Sequence, residues 1–233
     1  EGGSFTVSSV GTAVQQACEG LQAKLLDAAQ QAPVSPFTGA KLEDVEFVDG
    51  QMRLKASPEH WVELAEIIAA NGVIESEVSA KPGEKRSEYS ISTHSAIFVE
   101  VRVDESLGTV KVSRVVSAVA AGRVVNPKTA GNQIAGGVVW GIGQALHEET
   151  MIDHNLGRYM NHNLSEYHVP INADINDIDV FFVEEKDDIV NALGSKGVGE
   201  IGIVGVAAAV GNAIYHATGK RVRDLPITLD KVL

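Results

Sequence analysis

The residue best suited to catalysis in this sequence is a glutamate, Glu200, which ends the run Ser195-Lys196-Gly197-Val198-Gly199-Glu200. Residues 201–218 then place apolar side chains near helical spacing, and Gly219 predicts the end of a helix. We therefore expect Glu200 in the first turn of this helix, where unpaired backbone N–H groups and the helix dipole favour a carboxylate. A carboxylate held there can serve as a general base. An ordinary helix N-terminus has the same pattern, so the residues alone leave both interpretations open.

The same run also fits a dinucleotide-binding pattern, G-x-G-x-x-G, through Gly197, Gly199 and Gly202. That motif needs a β-strand leading directly into its first glycine, followed by a βαβ unit. Residues 187–196 are typical of a loop instead. The sequence therefore disfavours a nucleotide-dependent dehydrogenase, and it leaves Lys196 as either a ligand for substrate or phosphate or a solvated loop lysine.

A second candidate binding segment, residues 2–11, is rich in glycine and hydroxyl side chains and precedes an amphipathic helix. Backbone N–H groups and hydroxyls at a helix N-terminus form a natural anion site. A simple helix cap at Ser9 or Thr12 explains the same residues, and the spacing alone favours the cap. Cys18 is predicted to be a buried packing thiol. One face of this helix is predicted to carry Val14, Ala17, Leu21 and Leu25.

The remaining elements follow from apolar periodicity and from turn residues. In chain order we expect a hairpin across Asp49-Gly50, a helix over 57–72, an exposed loop over 75–93, strands over 97–103 and 110–119, a helix over 130–149, an irregular stretch over 151–177 and a strand over 180–183. Four glycines in the helix over 130–149 predict close approach by another backbone or a ligand. The expected fold class is α+β, with layered helices on a mixed, largely antiparallel sheet.

Composition excludes several classes of protein. Nineteen Lys and Arg against 31 Asp and Glu give a net charge of −12, which argues against nucleic-acid partners. No apolar run is long enough for membrane insertion. The single cysteine excludes an all-cysteine metal site, and the histidines lack metal-ligand spacing, so we expect no metal ligand directly from protein side chains. The compartment, bacterial cytoplasm or periplasm, stays open.

Several stretches taken together resemble the molybdenum-binding large subunit of the xanthine dehydrogenase and aldehyde oxidase family. They are Gly122-Arg123-Val124-Val125-Asn126-Pro127, Gln133-Ile134-Ala135-Gly136-Gly137, Ala145-Leu146-His147-Glu148-Glu149, the run ending at Glu200, and residues 212–226. The resemblance covers essentially the whole chain as a C-terminal part of that subunit, so residues 1–233 are assigned to one molybdopterin-binding domain. Within the family, residues 120–123 and 167–170 look like the bacterial three-subunit aldehyde-oxidising branch.

The resemblance implies an activity and a set of site residues. The implied reaction is hydroxylation of aldehydes or N-heterocycles with water as the oxygen source, with Glu200 as the general base beside the molybdenum. Gln133 corresponds to the glutamine that binds the cofactor near the metal. The further cofactor-binding residues carried over from the resemblance are Gly3, Ser4, Ser8, Ser9, Lys196, Gly197 and Gly199.

The resemblance also implies cofactors and partners. The cofactor is a molybdopterin-type molybdenum cofactor, with the cytosine dinucleotide form as one alternative. The partners are the upstream half of the same subunit, an iron–sulfur subunit, an FAD subunit and a small-molecule substrate. The competing hypothesis is a non-catalytic scaffold or interaction fragment that keeps the fold without the cofactor.

Overall fold

A computed structural model describes Ser4 and residues 6–233. This part of the chain divides into two compact units. The first unit is Ser9–Pro82, and the second consists of Gly83–Leu233 together with the described residues up to Ser8. Each unit has its own hydrophobic core. The assignment of residues 1–233 to a single cofactor-binding domain concerns function and stays a prediction.

The first unit packs two helices on a three-stranded antiparallel sheet. Its elements are α1 (Thr12–Gln30), β1 (Val45–Val48), β2 (Gln51–Leu54), β3 (Trp61–Glu63) and α2 (Leu64–Asn71). Asp49 and Gly50 both have positive φ, at 50° and 78°, which is the backbone that a two-residue hairpin turn requires. The predicted Asp-Gly hairpin is therefore confirmed.

Three predictions in the first unit are wrong. The helix expected over 57–72 begins only at Leu64, because Trp61–Glu63 pairs with β2 as a third strand. Cys18 is exposed, so it is not a buried packing thiol. A π-helical segment, Val7–Gly11, runs directly into α1, and the N-cap residue of α1 is Gly11, so neither Ser9 nor Thr12 occupies the predicted cap position.

The second unit contains the mixed sheet. Its strands β4 (His94–Asp104) and β5 (Thr109–Ala120) are antiparallel, a short hairpin of β6 (Ile152–Asp153) and β7 (Arg158–Tyr159) interrupts the irregular stretch, and β8 (Ile178–Phe182) runs parallel to β5. The helices are α3 (Pro127–Leu146), α4 (Val206–Thr218) and α5 (Leu229–Val232). α3 packs against α4, and α4 packs on β4. The expected α+β class with a mixed, largely antiparallel sheet is confirmed.

Helix α3 carries Gln133 and packs against residues 202 and 203, close to Glu200 in the chain. It begins three residues earlier than predicted, at Pro127, after Asn126, whose side chain accepts a hydrogen bond from the Thr129 N–H. A Cβ on Gly137 would lie 2.7 Å from backbone atoms of Gly202 and Ile203. The predicted close approach of another backbone is therefore confirmed at Gly137. Gly136 is exposed and has no neighbour within 4 Å of the same hypothetical atom.

Candidate functional site

Glu200 lies in a loop and not in a helix. Helix α4 begins at Val206, and residues 200–205 form turns, so the expectation that Glu200 lies in the first turn of a helix is wrong. Two glycines explain the delay. Gly202 packs so tightly that a Cβ would lie 2.5 Å from the Ile134 carbonyl oxygen, and Gly205 has φ +88°, outside the helical range. We call residues 195–205 the glycine loop.

The two apolar residues that flank Glu200 anchor the glycine loop on the core. Val198 and Ile201 pack on a small buried cluster made of Val119, Ala121 and Ile134. Between these anchors the side chain of Glu200 is exposed. The anchoring keeps the carboxylate on the surface of the second unit without burying it.

Gln133 lies beside the same anchor. It precedes the fully buried Ile134 and is itself exposed, in the second turn of α3. Ile134 belongs to the buried cluster on which Val198 and Ile201 pack, so the residue after Gln133 and the segment that carries Glu200 share one cluster. The roles of Gln133 and Glu200 stay predictions.

The predicted cofactor-binding residues near the N-terminus lie in three different situations. Ser4 lies against Gly199, because a Cβ on that glycine would overlap the Ser4 side chain. Ser8 and Ser9 belong to the π-helical segment Val7–Gly11, so the predicted loop is helical at these two positions. Gly3 lies outside the described residues. The structure thus brings Ser4 to the glycine loop, and cofactor binding by these residues stays a prediction.

The upstream end of the glycine loop is held by a dense set of hydrogen bonds. Asn191 donates its side-chain N–H to the Ser195 carbonyl over 2.8 Å, and its side-chain oxygen accepts from the Gly194 N–H over 2.8 Å. The Ser195 hydroxyl donates to the Arg123 carbonyl over 2.5 Å. The Lys196 N–H donates to the Ala121 carbonyl over 3.0 Å. The loop therefore enters the candidate site from a fixed backbone position.

A buried ion cluster lies at the same end. The ammonium of Lys196 is 2.6 Å from a Glu185 oxygen and 3.0 Å from an Asp187 oxygen, and the Lys196 side chain is only 8% exposed. Burial by itself would lower the pKa of Lys196, but the two carboxylates raise it above the ordinary value. The hydrogen bond from Lys196 is the main cause that lowers the pKa of Glu185. Binding of the cofactor by Lys196 stays a prediction, and the structure shows that its ammonium already pairs with two carboxylates.

Asp187 has a second role in the cluster. Its other oxygen accepts hydrogen bonds from the N–H groups of Ile189 and Val190, each over 2.9 Å. Burial would raise the pKa of Asp187, but these N–H groups and the Lys196 ammonium lower it overall. The carboxylate therefore also fixes the turn that leads to Asn191.

Sequence reasoning missed Glu185, Asp187 and Asn191. The run Glu184-Glu185-Lys186-Asp187-Asp188 has the composition of a solvated loop. That composition hides the alternation of half-buried and exposed positions along the run. Glu185 and Asp187 are half-buried while their neighbours are exposed, which is the period of two expected of extended chain after β8. This alternation was the one signal that could have separated the inward carboxylates from the solvated ones.

An open groove of about 690 Å³ lies elsewhere in the second unit, between β4 and α4. Its floor is mostly apolar, with Ile97 and Val99 facing alanines of α4. Neither Glu200 nor Gln133 lines it. The candidate site is thus an exposed surface next to the glycine loop, separate from this groove.

Among the described residues, no group of three or more His, Cys, Asp or Glu side chains is placed to hold a metal ion. In the same part of the chain, no helix is both long and apolar enough to cross a membrane.

Comparison with known sequences points to molybdenum proteins. A family model described as a molybdopterin cofactor-binding domain matches residues 1–176. The chain is 47% identical over 164 residues, 70% of its length, to the aldehyde oxidoreductase molybdenum-binding subunit PaoC of Escherichia coli K12, of which it covers 22%. It is 37% identical over 152 residues to the putative xanthine dehydrogenase molybdenum-binding subunit XdhA of the same strain, covering 63% of the chain and 20% of that protein. The chain thus spans about a fifth of the length of these relatives.

Solved structures confirm the fold. Over its full length the chain superposes on 29% of a Cu,Mo-CO dehydrogenase chain with a TM-score of 0.81 and 20% identity. It also matches quinoline 2-oxidoreductase from Pseudomonas putida 86 with a TM-score of 0.78 and 22% identity, over 97% of this chain and 29% of that one. These likenesses establish that the layered α+β arrangement is that of the molybdenum hydroxylases.

Proposed function

Because this chain belongs to the molybdopterin cofactor-binding domain family, we propose that it forms part of the molybdenum-binding subunit of an enzyme that hydroxylates aldehydes or N-heterocycles, with water as the oxygen source. The likeness to an aldehyde oxidoreductase subunit at 47% identity supports aldehydes as the first substrates to test. Because the chain spans about a fifth of such a subunit, the activity is that of the complete protein.

The residues of the described chain fit a cofactor at the glycine loop. Gly199 is packed against Ser4 so closely that any side chain would fill the space. Gly136, on the exposed face of α3 one turn after Gln133, leaves open space instead. A large organic group needs such close access to backbone, and polar groups nearby that can orient it. A side chain at Gly136 would obstruct that access, whereas the Gly199 position is already covered by Ser4.

The observation that carries the proposal is the placement of Glu200. Its side chain is exposed between two apolar residues, Val198 and Ile201, which pack on the buried cluster that contains Ile134, the residue after Gln133. A general base must reach the proton that it removes, and an anchored but uncovered carboxylate satisfies that requirement. We assign Glu200 the role of accepting the proton from the attacking oxygen, and Gln133 the role of donating a hydrogen bond to the cofactor.

The cofactor supplies the metal centre that accepts electrons when it is bound. The chain's own residues bind and orient it. Ser4, Gly197 and Gly199 would border it at the glycine loop, and Ser8 and Ser9 would contribute to its binding, as the resemblance to the family implies. Gly3 belongs to the same proposed segment. The cytosine dinucleotide form, the iron–sulfur and FAD subunits and the rest of the large subunit complete the proposed assembly.

The test is Glu200→Gln in the complete assembly, with turnover measured on a panel of aldehydes and N-heterocycles using an artificial electron acceptor. Loss of a general base typically lowers the rate about 10²- to 10⁴-fold. Molybdenum and pterin contents should equal those of the unmodified enzyme, because the exposed carboxylate does not hold the fold.

Glu105→Gln is the matched control, since Glu105 is an equally exposed glutamate in the turn between β4 and β5. It should leave turnover unchanged. Wild-type turnover in Glu200→Gln would remove Glu200 as the base. An unmodified assembly without molybdenum or pterin would favour the non-catalytic scaffold.

A further inference from the structure

The buried ion cluster lies where the glycine loop starts. One Glu185 oxygen accepts from the Lys196 ammonium over 2.6 Å, and the other accepts from the Gly122 N–H over 2.7 Å. Glu185 thus ties the loop to the chain that leaves β5, where Gly122 and Ser195 already form an isolated bridge. A single carboxylate holds two segments in register.

The charged groups of this cluster are largely buried, so each one needs the opposite charge of its partner. The side chains of Lys196, Asp187 and Glu185 are 8%, 13% and 29% exposed. Removing one member of a buried ion pair leaves an uncompensated charge, which costs far more than an exposed pair contributes. The ammonium is therefore held at one place by two carboxylates, and Asp187 is held in turn by two backbone N–H groups.

The segment between this cluster and Glu200, residues 197–199, is short and is held by contacts at each residue. Of the three residues between Lys196 and Glu200, Gly197 has its carbonyl bonded to the Thr93 hydroxyl over 2.8 Å, and Val198 packs on the Ile134 cluster. Gly199 lies against Ser4. A displacement of Lys196 is thus transmitted along a short, constrained segment to the carboxylate.

We propose that Glu185 and Asp187 are positioning residues for Glu200, which fix the start of the glycine loop by holding the ammonium of Lys196. This inference rests on the proposed function, because it takes Glu200 as the base. It assigns Lys196 a place in the scaffold of the site, in competition with the role of a cofactor ligand. The two roles predict different losses when Lys196 is replaced.

The experiment compares Glu185→Gln, Lys196→Met and Lys196→Arg in the complete assembly. Misplacing a catalytic group by about 1 Å can cost on the order of 10²-fold in rate. We expect kcat to fall about 10- to 100-fold in Glu185→Gln and Lys196→Met, with KM and molybdenum content close to wild type. Lys196→Arg should recover part of the lost kcat, because it keeps the charge that the two carboxylates bind.

The chain offers a matched control next to the cluster. Lys186 and Asp188 form an ion pair at 3.3 Å, but their side chains are 87% and 74% exposed. Lys186→Met and Asp188→Asn should leave kcat unchanged, because exposed pairs contribute little. A fall in kcat as large as that in Glu185→Gln would show that charge in this segment matters without any positioning.

Hydrogen exchange supplies a readout that does not depend on activity. In Glu185→Gln, the backbone amides of residues 196–201 should exchange faster, while those of the first unit should keep wild-type rates. Wild-type exchange and kcat in Glu185→Gln would overturn the inference. Loss of molybdenum and pterin from Lys196→Met in proportion to its loss of kcat would also overturn it, in favour of a cofactor ligand.

The proposed base and the positioning role can fail separately. Faster exchange in Glu185→Gln supports the anchoring of the loop by the ion cluster, whatever the chemistry. Wild-type turnover in Glu200→Gln would instead remove the base and leave the exchange result standing. The two variants together therefore show which of the two inferences is wrong.

Discussion

The two ends of the glycine loop are held in place by different forces. At the upstream end, Asn191, Glu185 and Asp187 fix the chain through hydrogen bonds and a buried ion pair. At the downstream end, Gly202 packs on α3 so closely that a Cβ on this glycine would lie 2.5 Å from the Ile134 carbonyl oxygen. The upstream end therefore depends on directional polar contacts and the downstream end on close packing. The proposed base, Glu200, lies between the two ends.

Each type of contact has its own weakness. Hydrogen bonds and ion pairs depend on charge, so the upstream end should respond to pH and to isosteric changes that remove a charge. Close packing of backbone on backbone depends on volume, so the downstream end should respond to a single added methyl group. The following predictions test this division.

The largest expected effect on stability is at the downstream end. Gly202→Ala or Gly137→Ala would place a methyl group against backbone, which cannot move aside as a flexible side chain does. Overpacking of this kind typically costs about 1 to 3 kcal/mol. We expect the free energy of unfolding to fall by that amount, measured by denaturant titration of the complete subunit.

Gly136→Ala is the control for this prediction, since Gly136 lies on the same helix with nothing within 4 Å of the added atom. Alanine is favoured over glycine inside a helix by up to about 1 kcal/mol, so this variant should be as stable as wild type or more so. If Gly136→Ala and Gly137→Ala proved equally destabilising, the close approach of the glycine loop to α3 would not be the cause.

The next effect, at the upstream end, depends on acid. The pKa of Glu185 is lowered mainly by the hydrogen bond from Lys196, and that of Asp187 is lowered by backbone N–H groups and Lys196 against the opposing effect of burial. A carboxylate with a lowered pKa stabilises the fold above the pKa of the unfolded chain, about 4, and this stabilisation is lost as the pH falls through the lower folded value. The raised pKa of Lys196 acts in the opposite direction, and its contribution is lost only at alkaline pH.

We therefore expect acid to destabilise the wild-type subunit more steeply than Glu185→Gln, because the variant lacks one of the carboxylates that must be protonated. Unfolding free energies measured at several pH values from 7 downwards provide the check. Gly137→Ala should keep the full acid dependence of the wild type, since its damage is steric. Identical acid dependence in wild type and Glu185→Gln would mean that the ion cluster contributes nothing to stability.

The sequence predicted that helix α3 has a close backbone neighbour, but it did not predict the conformation of the glycine loop. The glycines of α3 indicated a close backbone approach, and Gly137 makes it. Periodicity in residues 201–218 predicted a helix from Ile201, yet tertiary packing of Gly202 and the left-handed Gly205 delay its start to Val206. Apolar spacing reports neither the left-handed backbone of Gly205 nor a packing neighbour such as Gly137, which lies 65 residues before Gly202 in the chain.

The ion cluster was harder to predict for a different reason. Charged residues in a run are usually solvated, and only the register of the chain after β8 turns Glu185 and Asp187 inward. Register over a few residues depends on where the strand ends, which sequence patterns place least accurately. The resemblance to the family, in contrast, singles out Glu200 and Gln133 directly, and their roles stay predictions.

The smallest effect tests whether the downstream end depends on α3 as a whole. Asn126 accepts a hydrogen bond from the Thr129 N–H over 3.2 Å at the start of the helix, and replacing such a cap with alanine typically costs about 1 kcal/mol. Asn126→Ala should therefore lower the free energy of unfolding by about that amount, whereas Asn132→Ala, at an exposed position inside the same helix, should not lower it. Ile134 and Gly137 lie about two and about three turns beyond the cap, so hydrogen exchange in residues 200–205 should stay at the wild-type rate. Faster exchange there in Asn126→Ala would mean that the start of α3 and the glycine loop open together. The stability of the downstream end would then depend on the whole of α3 and not only on the contacts of Gly202 and Gly137.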